Sequence, residues 1–203
     1  MYTTKTPQVL KALASDMVWN KSREEKVVYL TFDDGPTPDI TDRTLNILKK
    51  FNAKATFFCV GEMAEKSPQL LQRITEEGHG LGNHTMKHEN GWKTQNIDYF
   101  RSYLNCAETL DSHLFRPPYG RISKSQAKCI KKRSEIIMWD VLPGDFDEKS
   151  TAADCLNRLT KHTQNGSIIV LHDSVKCGEK MLEMLPDALG WLSEEGYELR
   201  ALS

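Results

Sequence analysis

The chain has 203 residues, 39% of them hydrophobic and 27% charged, which is enough for one well-buried core, too little for two ordinary domains, and unlike a disordered or fibrous chain. Lys and Arg total 27 against 28 Asp and Glu, so the net charge is −1 and there is no electrostatic footprint for duplex nucleic acid. No stretch approaches the ~18 consecutive apolar residues of a membrane span.

Leu10, Leu13, Ala14, Met17 and Val18 repeat at helical spacing behind Thr6 and Pro7. They predict a short helix covering one end of the core. Lys11 and Asp16 interrupt the only apolar run in this region, so it does not read as a secretory signal. The five cysteines are widely spaced with no C-x-x-C, which argues against a disulfide framework or a zinc ribbon. Both features predict a reduced, cytoplasmic location, with export of a longer precursor left open.

Short β-rich runs follow at Val27–Phe32, Ala55–Val60, Gly80–Asn83, Leu114–Arg116, Ile136–Leu142, Ser167–Leu171 and Tyr197–Leu202. Several are nearly continuously apolar, as parallel strands buried on both faces are. Helical stripes lie between them. Ile40, Leu45, Leu48 and Phe51 form one, and Leu70, Leu71 and Ile74 form the next, between Ser67-Pro68 and Gly78. Ile97, Phe100, Leu104 and Leu110 mark a longer helix. Ser125–Arg133 is short and polar, and the cluster Lys124, Lys128, Lys131, Lys132 and Arg133 reads as its solvated face. Ala152, Cys155, Leu156 and Leu159 follow a Ser150/Thr151 cap, and Met181, Met184, Leu185, Leu189 and Leu192 form the last stripe. About seven strands alternating with helices predict a parallel α/β architecture, either an open sheet or a barrel.

The polar residues of interest fall just after these strands. Asp33 and Asp34 follow the first, His84 and His88 follow the third, Arg116 ends the fourth, Asp145 follows the fifth, and His172 and Asp173 follow the sixth. In parallel α/β folds, active sites form at the carboxyl ends of strands. One rim would therefore collect acid, base, cation and imidazole.

Adjacent carboxylates at a strand end point in different directions, so one can bind a metal while the other stays free as a base. Alone, Asp33-Asp34-Gly35-Pro36 equally fits a solvated turn. His84 and His88 are spaced to grip one ion, although an isolated pair equally fits two ordinary histidines. Thr85 stands where H-E-x-x-H has its Glu, which excludes that metalloprotease pattern. With Asp34 as third ligand the set suits a catalytic metal site. A non-haem iron site uses the same ligands, but it needs no second free carboxylate such as Asp33. The rigid turn Arg116-Pro117-Pro118-Tyr119-Gly120 could aim an N–H at an oxyanion or be an ordinary loop. His172, at the mouth of a buried strand, fits a core histidine or a general acid.

Together, Thr31-Phe32-Asp33-Asp34-Gly35-Pro36, His84-Thr85-x-x-His88, Arg116-Pro117-Pro118-Tyr119-Gly120, Asp145 and Leu171-His172-Asp173 resemble the five ordered motifs of the polysaccharide deacetylases, the NodB-homology domain or carbohydrate esterase family 4. The resemblance covers about Lys26 to Leu202. It implies a distorted (β/α)7 barrel over the whole chain, 1–203, with 1–25 as an N-terminal helical extension.

The implied activity is metal-dependent removal of N-acetyl groups from N-acetylglucosamine units of a glycan, with one divalent ion, usually zinc. The implied metal ligands are Asp34, His84 and His88. Asp33 would be the general base, oriented by Arg116, and His172 the general acid, oriented by Asp145. The backbone N–H of Tyr119 would assist at the oxyanion, and Pro118, Tyr119, Phe146 and Leu171 would line the substrate site. Two positions depart from the family pattern: Leu142 and Phe146 stand at the first Asp and the Trp of D-x-x-D-W. The second departure bears on polymer specificity, because the Trp forms a wall of the groove. Two alternatives remain: the same chemistry on a non-sugar or cyclic amide, and an inactive glycan-binding relative.

Overall fold

The β-branched and aromatic runs form seven strands that all pair in parallel: β1 (Val27–Asp33), β2 (Ala55–Cys59), β3 (Gly80–Asn83), β4 (Leu114–Phe115), β5 (Glu135–Ile136), β6 (Ile168–His172) and β7 (Glu198–Leu199). A computed structural model describes residues 2–203; Met1, where the expected extension begins, lies outside the described residues. The strand order is β5-β4-β3-β2-β1-β6, with β7 on β1. The sheet curls into a half-barrel, and its open side is bridged at Val141 and Ile169, where the Val170 N–H donates to the Val141 carbonyl at 3.0 Å.

Strand alternation divides the side chains of β1 and β6 between two of the three buried clusters. Val28, Leu30 and Phe32 of β1 and Ile169 and Leu171 of β6 face the surrounding helices and join the main core. Tyr29 and Ile168 face inward and pack with Phe58, Leu114 and Ile137. The outer layer comprises α1 (Gln8–Leu13), α2 (Ile40–Lys50), α3 (Gly61–Lys66), α4 (Pro68–Glu76), α5 (Asn96–Leu110), α6 (Lys124–Ile130), α7 (Ala152–His162) and α8 (Gly178–Glu194). The α6 and α7 N-termini carry reciprocal capping boxes, from Ser123 with Gln126 and from Thr151 with Asp154.

The structure departs from the sequence expectations in four places. First, α1 stops at Leu13, with Leu10 and Leu13 exposed at 46% and 80% and Lys11 buried at 8%. The fully buried Asp140 carboxylate binds Lys11 at 2.5 Å and Lys5 and Arg23 at 2.9 Å. This ionic anchor, rather than the apolar stripe, sets which face of the helix turns inward. Most of the extension is not helical. It runs beside residues 137–141, with bridges Lys5–Val141 and Val18–Ile137.

Second, α5 buries Tyr99, Tyr103, Cys106 and Leu110 and leaves Ile97 and Leu104 exposed. The two tyrosines pack edge-on against Phe115, and the Tyr103 hydroxyl meets Ser134 Oγ at 2.6 Å, so a phase carrying larger rings wins. Third, the strand expected over Ile136–Leu142 keeps only its first residue in β5, and the run at Tyr197–Leu202 contributes only two residues to β7. In the former, isolated bridges to the N-terminal segment and to β6 replace a continuous ladder. Fourth, α3 begins at Gly61, directly after the second strand, where no helix is expected.

Candidate active site

Alternation also decides what reaches the site. Asp33 of β1 is the register partner of His172 on β6, and paired residues on neighbouring parallel strands, about 4.8 Å apart, share a face. Leu171 faces the other way. Its side chain is fully buried in the main core, so the expectation that it lines the substrate site is corrected. Val170 is the residue that shares the face of His172. Pro118 is also buried and offers the groove little surface.

Arg116 leaves the end of β4 and crosses the barrel interior, fully buried. Its Nη1 donates to Asp33 Oδ1 at 2.6 Å and to Thr31 Oγ1 at 2.7 Å, and its Nε and Nη2 donate to the Ile137 and Met138 carbonyls. The guanidinium lies 4.0 Å from the Phe58 ring centroid. A buried cation needs such complete pairing. It holds Asp33 by one oxygen, and Oδ2 has no hydrogen-bond donor among the described residues.

Asp34, His84 and His88 converge, with one ligand atom from each lying within 4.8 Å of the others. Asp34 Oδ1 is 3.6 Å from His84 Nε2 and 3.1 Å from His88 Nε2. Tetrahedral zinc, with ligands at 2.0–2.2 Å, needs ligand atoms about 3.3 Å apart, so the donor set fits such an ion. The Arg116 carbonyl lies 2.8 Å from His84 Nδ1, which assigns the proton to that nitrogen and leaves Nε2 as the donor atom. Burial pulls the His84 pKa down to about 4, keeping the imidazole neutral for ligation. Burial alone would raise the Asp34 carboxyl, but the hydrogen bond from His88 and the charge of His172 hold it well below the usual carboxylate range.

The backbone here is held in an unusual conformation. Asp34, Thr85, His88 and Tyr119 have φ of 82°, 63°, 58° and 59°. The left-handed region costs a non-glycine residue about 1–2 kcal/mol, and such strain concentrates at functional sites.

His172 is 15% exposed by side chain, and its Nδ1 lies 2.9 Å from Asp145 Oδ1. The His172 backbone N–H donates to Asp145 Oδ2 at 2.7 Å. Burial would lower the imidazole pKa, but the charge and hydrogen bond of Asp145 outweigh it and raise the pKa to about 9. Phe146 meets the His172 ring edge-on at 5.4 Å. The Tyr119 ring is 60% exposed and lies 4.5 Å from the His88 ring, and its backbone N–H has no acceptor among the described residues.

Two residues gain roles that the sequence alone does not assign, Asp173, already placed beside His172, and Tyr2. Asp173, fully buried, accepts from the Gly35 N–H at 3.0 Å and from Thr41 Oγ1 at 2.6 Å. It thereby ties the Asp33-Asp34 loop to the end of β6. A Cβ at Gly35 would collide with its carboxylate, so glycine is required there. Burial pushes the Asp173 carboxyl up to about 7. Its position directly after His172 is the only available sequence signal. Tyr2 packs edge-on against Phe146 at 4.9 Å and donates to Asp147 Oδ2, extending the wall of the site from a segment with no sequence signal for it.

Comparison with known proteins identifies the family and the fold. The polysaccharide deacetylase family model matches residues 20–134, more than half the chain. A peptidoglycan-N-acetylglucosamine deacetylase of Bacillus cereus is 28% identical over 194 residues, 92% of this chain and 91% of that protein. A chitooligosaccharide deacetylase of Azorhizobium caulinodans is 32% identical, covering 75% of this chain and 76% of that protein. Of longer relatives the chain spans as little as 38%. A crystal structure of a peptidoglycan N-acetylglucosamine deacetylase with a naphthyl-substituted N-oxidanyl-benzamide superposes with a TM-score of 0.89 at 30% identity, over 97% of this chain and 95% of that one. In motif order, fold and match to the family model alike, the chain belongs to the polysaccharide deacetylase family.

Proposed function

We propose that this chain hydrolyses the acetamide of N-acetylglucosamine units in a glycan, peptidoglycan foremost, with zinc held by Asp34, His84 and His88. The observation that carries this reading is the pairing of Asp33, a carboxylate with one free oxygen, with His172, an imidazole backed by Asp145, on one face beside the Asp/His/His set. The names of the relatives support the substrate class.

Asp34, His84 and His88 would hold a divalent ion, which when bound would acidify water and polarise the amide carbonyl. Asp33 Oδ2 takes the proton of the attacking water while Arg116 keeps Oδ1 fixed. The Tyr119 N–H donates to the carbonyl oxygen as negative charge builds on it. His172 Nε2 then gives a proton to the amide nitrogen as the C–N bond breaks, so that acetate and a free amine leave. A neutral amine is a far better leaving group than its anion, which is why an acid distinct from the base is useful.

The experiment is release of free amine from N-acetylglucosamine oligomers, peptidoglycan fragments and simple non-sugar acetamides. Turnover of the glycans and not of the simple amides is the expected result. Turnover of non-sugar or cyclic amides alone would replace the substrate class while keeping the chemistry.

The pH profile follows from His172, which acts in its protonated form. Its pKa is raised from 6.5 to about 9, so activity persists through neutral pH and falls as pH rises through about 9. Asp145→Asn removes the charge that raises this pKa. Its alkaline limb should therefore move down toward the ordinary imidazole value, about 6.5, in a pH–rate measurement. A limb that stays in place would assign it to another group.

A further inference from the structure

The proposed chemistry makes no use of Trp92, an indole that is 68% exposed yet firmly anchored. Its Nε1–H donates to the Ile122 carbonyl at 3.1 Å, and the Arg121 guanidinium lies 5.3 Å from the ring centroid. The Gly91 N–H donates to the Arg121 carbonyl at 3.2 Å, while the fully buried Gln126 donates to the Gly91 carbonyl at 2.9 Å. A Cβ at Gly91 would stand 2.5 Å from the Arg121 carbonyl oxygen and 2.7 Å from Gln126 Oε1, so only glycine lets the loop come this close. The indole is thus held out with its one polar atom satisfied and much of its apolar surface in water. Packing alone gives no reason for that.

The location is informative. Trp92 follows His88 by four residues, Arg121 follows Tyr119 by two, and the Tyr119 ring lies 4.5 Å from that of His88. The His88–Tyr119 pair and the Trp92–Arg121 pair are thus joined by short chain segments on both sides, which sets the second pair near the metal ligands. The surroundings carry more positive than negative charge: half-buried Glu89 is turned to Ser102 Oγ and the Lys87 N–H. Lys87 pairs with Glu62, but Lys93, Arg121 and Lys124 are exposed and have no carboxylate within ion-pair distance among the described residues.

We propose that Trp92 and Arg121 form an accessory subsite for the glycan strand beyond the unit being deacetylated. Trp92 stacks on the apolar face of a neighbouring pyranose ring, and Arg121, with Lys93 and Lys124 beside it, takes a carboxylate carried by that unit. The ligand class is an acidic amino-sugar strand, in which lactyl or peptide carboxylates alternate with N-acetylglucosamine. A neutral chitooligosaccharide gains only the stacking. The proposal rests on the glycan reading above, and binding is therefore measured apart from turnover.

The test is calorimetric binding of a muramyl-containing tetrasaccharide peptide and of chitotetraose to the intact protein, with KM and kcat followed in parallel. Arg121→Gln should weaken the acidic ligand by about 3–5-fold, the upper range for a rim ion pair, and chitotetraose much less. Trp92→Ala should weaken both by about 10-fold, as loss of an aromatic anchor does, while Trp92→Phe restores most of the affinity. The kinetic losses should fall in KM rather than kcat, with melting temperatures preserved. Equal loss on both ligands in Arg121→Gln, or wild-type binding by Trp92→Ala, would overturn the proposal. Binding as expected with no amine released would instead sink the reaction and leave the subsite standing.

Discussion

Asp33→Asn should lower acetamide hydrolysis by about 10²–10⁴-fold, the usual worth of a positioned base, and leave the bound metal in place. The substitution is unusually clean here. Arg116, which also donates to Thr31 Oγ1, holds the side chain by Oδ1, and an Asn carbonyl oxygen can still accept the Arg116 bond of 2.6 Å. What is lost is Oδ2, the oxygen with no other partner among the described residues. Asp34→Asn should behave in the opposite way. Its oxygen stands 3.1 Å and 3.6 Å from the two imidazoles, so this variant loses metal first and activity as a consequence. Metal content measured on both purified variants separates the two roles. An equal fall in both would show that the adjacent carboxylates are not divided into base and ligand.

His172→Asn should be as severe on amides, by about 10²–10⁴-fold, and mild on an activated aryl acetate. The Asn side-chain amide can reproduce the donor that meets Asp145 Oδ1 at 2.9 Å, so the buried carboxylate stays satisfied and the fold survives. It cannot reproduce Nε2, from which the leaving amine would take its proton. A phenolate leaves without one, so the ester is the internal control. Parallel loss on both substrates, with no drop in melting temperature, would make His172 a positioning group for the nucleophile rather than the acid.

The sequence carries the site more fully than it carries the scaffold. Asp33, Asp34, His84, His88, Arg116, Asp145 and His172 can all be found because each follows a strand, and in parallel folds strand ends share a rim. Leu171 shows the limit of proximity in sequence. It adjoins His172 but alternation turns it into the helix-facing core, and period-2 reasoning applied to Ile168-Ile169-Val170-Leu171-His172 would have chosen Val170. The face of α1 could not be read from apolar spacing, because the deciding partner of Lys11 is Asp140, 129 residues away. Long-range polar anchors of this kind leave no periodic trace, and the Tyr2 hydroxyl on Asp147 Oδ2 is a second case. The strand at Ile136–Leu142 is shortened for a related reason, since the N-terminal segment supplies part of its hydrogen bonding. The strained residues Asp34 and His88 were legible as chemistry but not as geometry, because left-handed backbone at a non-glycine position goes against local preference.

On this reading, one divalent ion on Asp34, His84 and His88 makes the chain an N-acetylglucosamine deacetylase. The most direct test is acetate release from an N-acetylglucosamine oligomer by chelator-stripped protein during titration with zinc. Activity should be absent at the start, rise linearly, and reach its plateau at one zinc per chain. Full activity in the stripped protein, or a plateau reached only at two ions per chain, would contradict it.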